Sequence, residues 1–197
     1  MLPKKVAVHL ALLQQFVGIS AVATYAREIA EGSLSSFKPV LPSILNLEQV
    51  ISTLLSSFLL TKYGRKTILQ VGTLGAAVAN VVITLGYYLN DSYPSLSVVL
   101  ILTALFYYMA NFGLSLGPIV WMYIPEVVKP GFLPFSTMVN WGGSALIILL
   151  FPIIKAHLPE QNPGPLFLFF AIWSGISYVL NKKYVIETRG KTSKQID

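Results

Sequence analysis

Gln14 and Gln15 stand side by side in an apolar stretch that runs from Val6 to Tyr25. A side-chain amide carries two donors and two acceptor lone pairs, and in a dry environment it must find partners. A hydroxylated solute is one natural partner. Gly18, Ser20, Thr24 and Tyr25 follow within three turns and make one side of the stretch polar. This pattern reads as a membrane helix facing a binding cavity; the competing reading is a helix whose glutamines bond only to neighbouring helices. Glu48 is a second candidate, because an ionisable group inside an apolar span, here beside Gln49, is a functional candidate by default. It is expected to take up and release a proton, unless it simply pairs with Arg27 or Lys38 near the outer surface.

Other chemistries have little foothold. There are no cysteines, so disulfide frameworks and thiolate metal sites are excluded, and the two histidines, His9 and His157, lack ligand spacing. Neither a phosphate loop nor a serine nucleophile elbow occurs. An enzyme and a cofactor are therefore not expected. The residues are 54% hydrophobic and 11% charged with mean hydropathy +0.67, a balance that belongs in a lipid bilayer.

Apolar runs of about 20 residues predict an all-α membrane protein with six spans near 6–25, 40–61, 67–89, 96–124, 133–154 and 165–181, followed by a tail over 182–197. Short segments rich in Pro, Gly, Ser and charge separate them, and none is long enough for a second domain. Lys and Arg on alternate sides number eleven against three, the minority being Arg27, Lys38 and Lys155. Basic loops stay in the cytoplasm, so both termini are expected there. The net charge of +6 is then a topology signal, and a nucleic-acid partner is not expected. The first run is too long for a cleaved signal core and reads as a permanent helix. The sequon at Asn90-Asp91-Ser92 lies too close to the membrane to favour its use.

Split into two sets of three, the first and fourth spans correspond, and both are interrupted: by Gly18 in one, by Gly113, Gly117, Pro118 and Pro125 in the other. Paired interruptions point to helices that bend around a substrate near the bilayer midplane, while Gly113 and Gly117 also have the spacing for close helix approach.

Five motifs, in order, resemble the sugar porters of the major facilitator superfamily. Gln14-Gln15-Phe16-Val17-Gly18-Ile19-Ser20 is similar to the Q-Q-x-x-G-I-N signature of the seventh helix, with Tyr25 on the second tyrosine that follows. Gly64-Arg65-Lys66 is similar to the basic turn between helices eight and nine, and Gly117-Pro118-Ile119-Val120-Trp121 with Glu126 to the tenth helix. Asn140-Trp141 resembles the pair in helix eleven, and Glu187-Thr188-Arg189-Gly190 the motif after helix twelve. The resemblance covers nearly the whole chain but only the C-terminal six-helix bundle of such a transporter.

What the resemblance implies is a hexose held by Gln14 and Gln15, with Trp121 and Trp141 as apolar walls and Gln49, Ser20, Tyr25, Asn140 and Ser144 completing the lining. Sugar hydroxyls each need a partner and ring faces suit aromatic surfaces, so the residue types agree. It also implies a cytoplasmic salt-bridge latch from Arg65, Lys66, Glu126 and Glu187. Ser20 and Ser144 stand where the family often has asparagine. The expected partners are a hexose or related sugar, the lipid bilayer, and a missing N-terminal half or a second copy of the chain. The expected location is a multi-pass place in the plasma membrane rather than an internal one. Three readings stay open: a transporter half that moves sugar by alternating access, a sugar-binding sensor that does not transport, and a nonfunctional truncated product.

Overall fold

The computed structural model describes residues 3–29 and 40–191, and side chains within 27–29 lie outside that description. Eight α-helices follow in order: α1 (Pro3–Phe16), α2 (Ile19–Ile29), α3 (Leu41–Lys62), α4 (Arg65–Leu89), α5 (Pro94–Leu114), α6 (Leu116–Val127), α7 (Leu133–His157) and α8 (Gly164–Tyr184). They form six stretches long and apolar enough to cross a bilayer among the described residues, α1 with α2 making the first and α5 with α6 the fourth. The protein is an all-α, multi-pass membrane protein.

The helices start where the sequence offers proline, which fits a first turn whose N–H would be unpaired anyway; α3, α5, α7 and α8 all carry it there. Several run further than the apolar windows imply. Helix α8 reaches Tyr184, three residues into the expected tail, because Lys182 and Lys183 suit the negative end of a helix dipole. Pro125 does not end α6, which continues to Val127, and Pro152 is likewise accommodated inside α7.

Helix α4 is the centre of the packing, lying against α8 and α5, while α3 packs on α5 and α1 on α7 and α6. Its buried stripe of Gly72, Gly75, Ala76 and Ala79 lets neighbouring backbones approach closely. Around it Leu10, Leu13, Leu105, Tyr108, Met109, Tyr123 and Phe167 are fully buried. The outer surfaces are apolar, as on α3, where Leu47, Leu54 and Phe58 are exposed. Facing hydrocarbon instead of water, these side chains carry no penalty.

Both interruptions expected from the sequence are real breaks. The first lies at Val17-Gly18, where Gly18 adopts φ +102, a conformation that a Cβ would strain. The second falls at Ser115, between Gly113 and Gly117, with φ −131 and ψ −86. Gly113 meets the Gln49 carbonyl and Ser52, so α5 and α3 touch through it.

Candidate functional site

The two breaks sit against each other, and the glutamine pair joins them. Adjacent helical residues point about 100° apart, so Gln14 faces α6 and Gln15 faces α7. The Gln14 amide donates both hydrogens to the Leu116 and Gly117 carbonyls, each at 3.1 Å, and its oxygen accepts from Asn140 Nδ2 at 2.8 Å. Asn140 gives its other amide hydrogen to the Ala11 carbonyl at 3.0 Å and accepts from Gln15 Nε2 at 2.9 Å. The Gln15 oxygen accepts from the Ser20 hydroxyl at 2.7 Å. Since that uses the only hydrogen of Ser20, Ser144 is the donor in the 2.8 Å contact between the two serines. One continuous polar network thus ties α1, α2, α6 and α7 together.

The network floors an open cavity of about 490 Å³. Gln14, Gln15, Ser20, Gln49, Trp121, Asn140, Trp141 and Ser144 all line it, together with Ile19, Ala23, Thr53, Phe112, Gly117 and Pro118. Trp121 is 43% and Trp141 64% exposed, so both ring systems present bare aromatic surface. Their roles differ from the uniform lining that the sequence implies. Gln14 has both amide hydrogens bonded to protein, whereas Gln15 keeps one hydrogen, and the Gln49 side chain makes no hydrogen bond with the described residues. Thr53, one turn beyond Gln49, escapes the sequence reading, although the helical i, i+4 rule would have found it.

Tyr25 departs from expectation. Instead of lining the cavity it stacks on Phe151 of α7, with centroids 5.0 Å apart, and its hydroxyl donates to the Ile148 carbonyl at 2.6 Å. Its backbone leaves helical geometry at φ −108, ψ 15, and the ring packs against the core through Phe151. Glu48 also lies off the cavity lining; it is half-buried, with one carboxylate oxygen buried and without a hydrogen-bond partner among the described residues. The Arg27 side chain and Lys38, its alternative partners, fall outside the described residues.

At the end of the bundle bearing Lys62 and Lys182, the four residues named for a latch lie close together, but only one pair of their charges meets. Arg65 and Glu126 form an ion pair at 3.3 Å. Glu187 instead accepts the backbone N–H groups of Arg65 at 2.9 Å and Lys66 at 3.1 Å, so a carboxylate from the far end of the chain caps the N-terminus of α4. Burial would raise its pKa, but backbone N–H bonds from Arg189, Arg65, Lys66 and Thr188 outweigh that and hold it below the usual value. The cap needs Gly64, since a Cβ there would collide with the Glu187 carboxyl. Lys66 pairs with no carboxylate among the described residues; its ammonium donates to the Lys182 carbonyl at 3.0 Å. Two residues that the sequence left without a role complete the corner. Thr188 donates to Glu126, and the Arg189 guanidinium donates to the last carbonyls of α3, those of Thr61 and Lys62.

Six spans, two of them broken around a polar, aromatic-walled cavity, define a helical membrane bundle with a half-open binding site. Residues 3–197 match the family model described as "Sugar (and other) transporter", and the chain belongs to that family. It is 32% identical over 199 residues to facilitated glucose transporter member 3 of solute carrier family 2 from Rattus norvegicus, covering 98% of this chain and 39% of that one. It is 27% identical to the glucose transporter GlcP of Staphylococcus epidermidis, covering 95% of this chain and 42% of that one. The inward-open xylose transporter XylE from E. coli superposes with a TM-score of 0.81 at 24% identity, over 98% of this chain and 41% of that one. A D-xylose-proton symporter gives 0.79 at 25% identity, over 96% and 44%. The chain thus spans about two fifths of the length of the relatives it matches.

Proposed function

We propose that the chain is the sugar-binding C-terminal bundle of a transporter that carries a hexose or related sugar by alternating access. The observation that carries this reading is the meeting, in one cavity, of a self-satisfied amide and hydroxyl network with two exposed indoles. The network is already ordered, so it offers its remaining donors and lone pairs to sugar hydroxyls at little entropic cost. The indoles cover the ring face, and a cavity of about 490 Å³ is of the size that small-molecule sites occupy. The relatives named for glucose and xylose transport support the substrate class.

Alternating access requires a second bundle against which this one rocks. That partner is a separate N-terminal half or a second copy, placed over the cavity mouth where Trp121 and Trp141 are exposed. The basic residues gathered near Lys62, Arg65, Lys182 and Lys183 support a cytoplasmic orientation for that end and, in this reading, for both termini, with the plasma membrane proposed as the site of action. Arg65, Glu126 and Glu187 hold the cytoplasmic corner together.

Counterflow of radiolabelled hexose into liposomes holding the purified chain tests this, with a Gln14→Ala, Gln15→Ala double variant beside it. Uptake by the parent and none by the variant is the expected outcome when a partner bundle is available. Binding of sugar without uptake, even with a co-reconstituted partner half, would favour a sensor. Absence of binding in every arrangement would sink the sugar assignment for this cavity.

A further inference from the structure

The polar lining hangs on one irregular peptide. At the break in the first span the Val17 carbonyl accepts two hydrogen bonds from other helices, from Asn80 Nδ2 of α4 at 2.9 Å and from the Tyr108 hydroxyl of α5 at 3.0 Å. Both donor residues are fully buried, and neither lines the cavity. Val17 lies two residues after Gln15 and three before Ser20, between the two partners of the 2.7 Å bond that joins α1 to α2. The Gly18 conformation next to it gives the peptide freedom to swing unless something outside the helix holds it.

One donor would satisfy a buried carbonyl. Here two converge, and the Asn80 amide oxygen is itself buried with no partner among the described residues. A core asparagine with its acceptor idle is costly, which points to a gain from its donor beyond stability. Tyr108 also stacks on Phe112, with centroids 6.4 Å apart, and Phe112 is part of the cavity wall. The same ring therefore registers the break against the wall that faces it.

We propose that Asn80 and Tyr108 are positioning residues for the sugar site, pinning the Val17 carbonyl and so fixing the angle between α1 and α2 that holds Gln15 and Ser20 in register. The role rests on the sugar-site reading, but the pinning itself can be tested without sugar. The chain has no cysteine, so Ala23→Cys places a single thiol on the cavity face of α2. In that background Tyr108→Phe, Asn80→Leu and the pair are reconstituted in liposomes. Labelling by a small polar maleimide is timed, and glucose affinity is read from tryptophan fluorescence.

Because either donor alone satisfies the carbonyl, each single variant should change both readouts by about two- to threefold and the pair by about tenfold or more, beyond the product of the singles. Independent packing contributions would multiply instead, and that result, or a pair that labels like the parent, overturns the proposal. If the parent binds no glucose, the labelling arm still decides, so failure of the sugar reading and failure of the pinning are distinguishable. If the pair does not fold, Asn80→Leu is compared with Ser174→Ala, which removes a buried hydroxyl bonded within its own helix; labelling no faster than in that control overturns the proposal as well.

Discussion

Two adjacent glutamines of identical chemistry have been given separate work by a 100° turn of the helix. Gln14 makes three bonds to protein, so Gln14→Ala should lower stability by about 1–3 kcal/mol, the cost of leaving Asn140 and its neighbours underbonded. Thermal unfolding in detergent would register this even without sugar. Gln49 makes none with the described residues, so Gln49→Ala should weaken sugar binding by about tenfold, one good hydrogen bond's worth, while the unfolding temperature stays put. A matched loss of stability would assign Gln49 to packing instead. For Glu48 the proposal is proton coupling: Glu48→Gln should flatten the pH dependence of uptake, and an unchanged profile would remove the residue from the mechanism. Residue types alone singled out residues that share one cavity, since an amide in hydrocarbon needs a reason. They did not mark the division of labour, which depends on which neighbour each side chain meets.

Among the elements, α4 is held at its start by a residue more than a hundred positions away. Replacing the cap with Glu187→Gln should cost about 1 kcal/mol, the usual worth of an N-cap interaction. The pH dependence follows from the lowered pKa of Glu187. A carboxylate whose folded pKa lies below its unfolded one contributes stability that is complete above the unfolded value near 4.5 and is lost as pH falls through the folded value. Acid unfolding of the parent should therefore show a loss beginning below about pH 4.5 that Glu187→Gln lacks. Gly64→Ala should reproduce the Glu187→Gln loss by displacing the carboxyl, and combining the two should add little. The sequence showed the six spans because bilayer thickness sets a length that an apolar run reveals directly. It showed that Glu187, Arg65 and Glu126 belong together only through family resemblance. It did not show that Glu187 binds backbone N–H groups, since a peptide donor has no signature in the sequence and a pairing of opposite charges reads more readily than a cap. Tyr25 was misplaced for a related reason: its position on the helix is plain, but the departure from helical geometry that turns it towards Phe151 is not.

At the level of the whole molecule, the outer surface is apolar while the cavity face mixes amides and indoles, which is what the proposed pairing with a second bundle calls for. The proposed orientation is testable by single thiols in the cysteine-free chain. Lys183→Cys should react only with reagent on the cytoplasmic side and Asn90→Cys only from the other; the reverse pattern would invert the topology. The corner built by Glu187, Thr188 and Arg189 also bears on how the protein is made. The turn between α3 and α4 leaves the ribosome with its N–H groups uncapped and its last carbonyls free, and the carboxylate that caps Arg65 is 122 residues further along. At about 5–20 residues per second the hairpin waits on the order of 6–24 s for its closing piece. During that interval the α3–α4 turn keeps its polar groups unpaired by Glu187, Thr188 and Arg189, and the arrival of those three residues closes the corner.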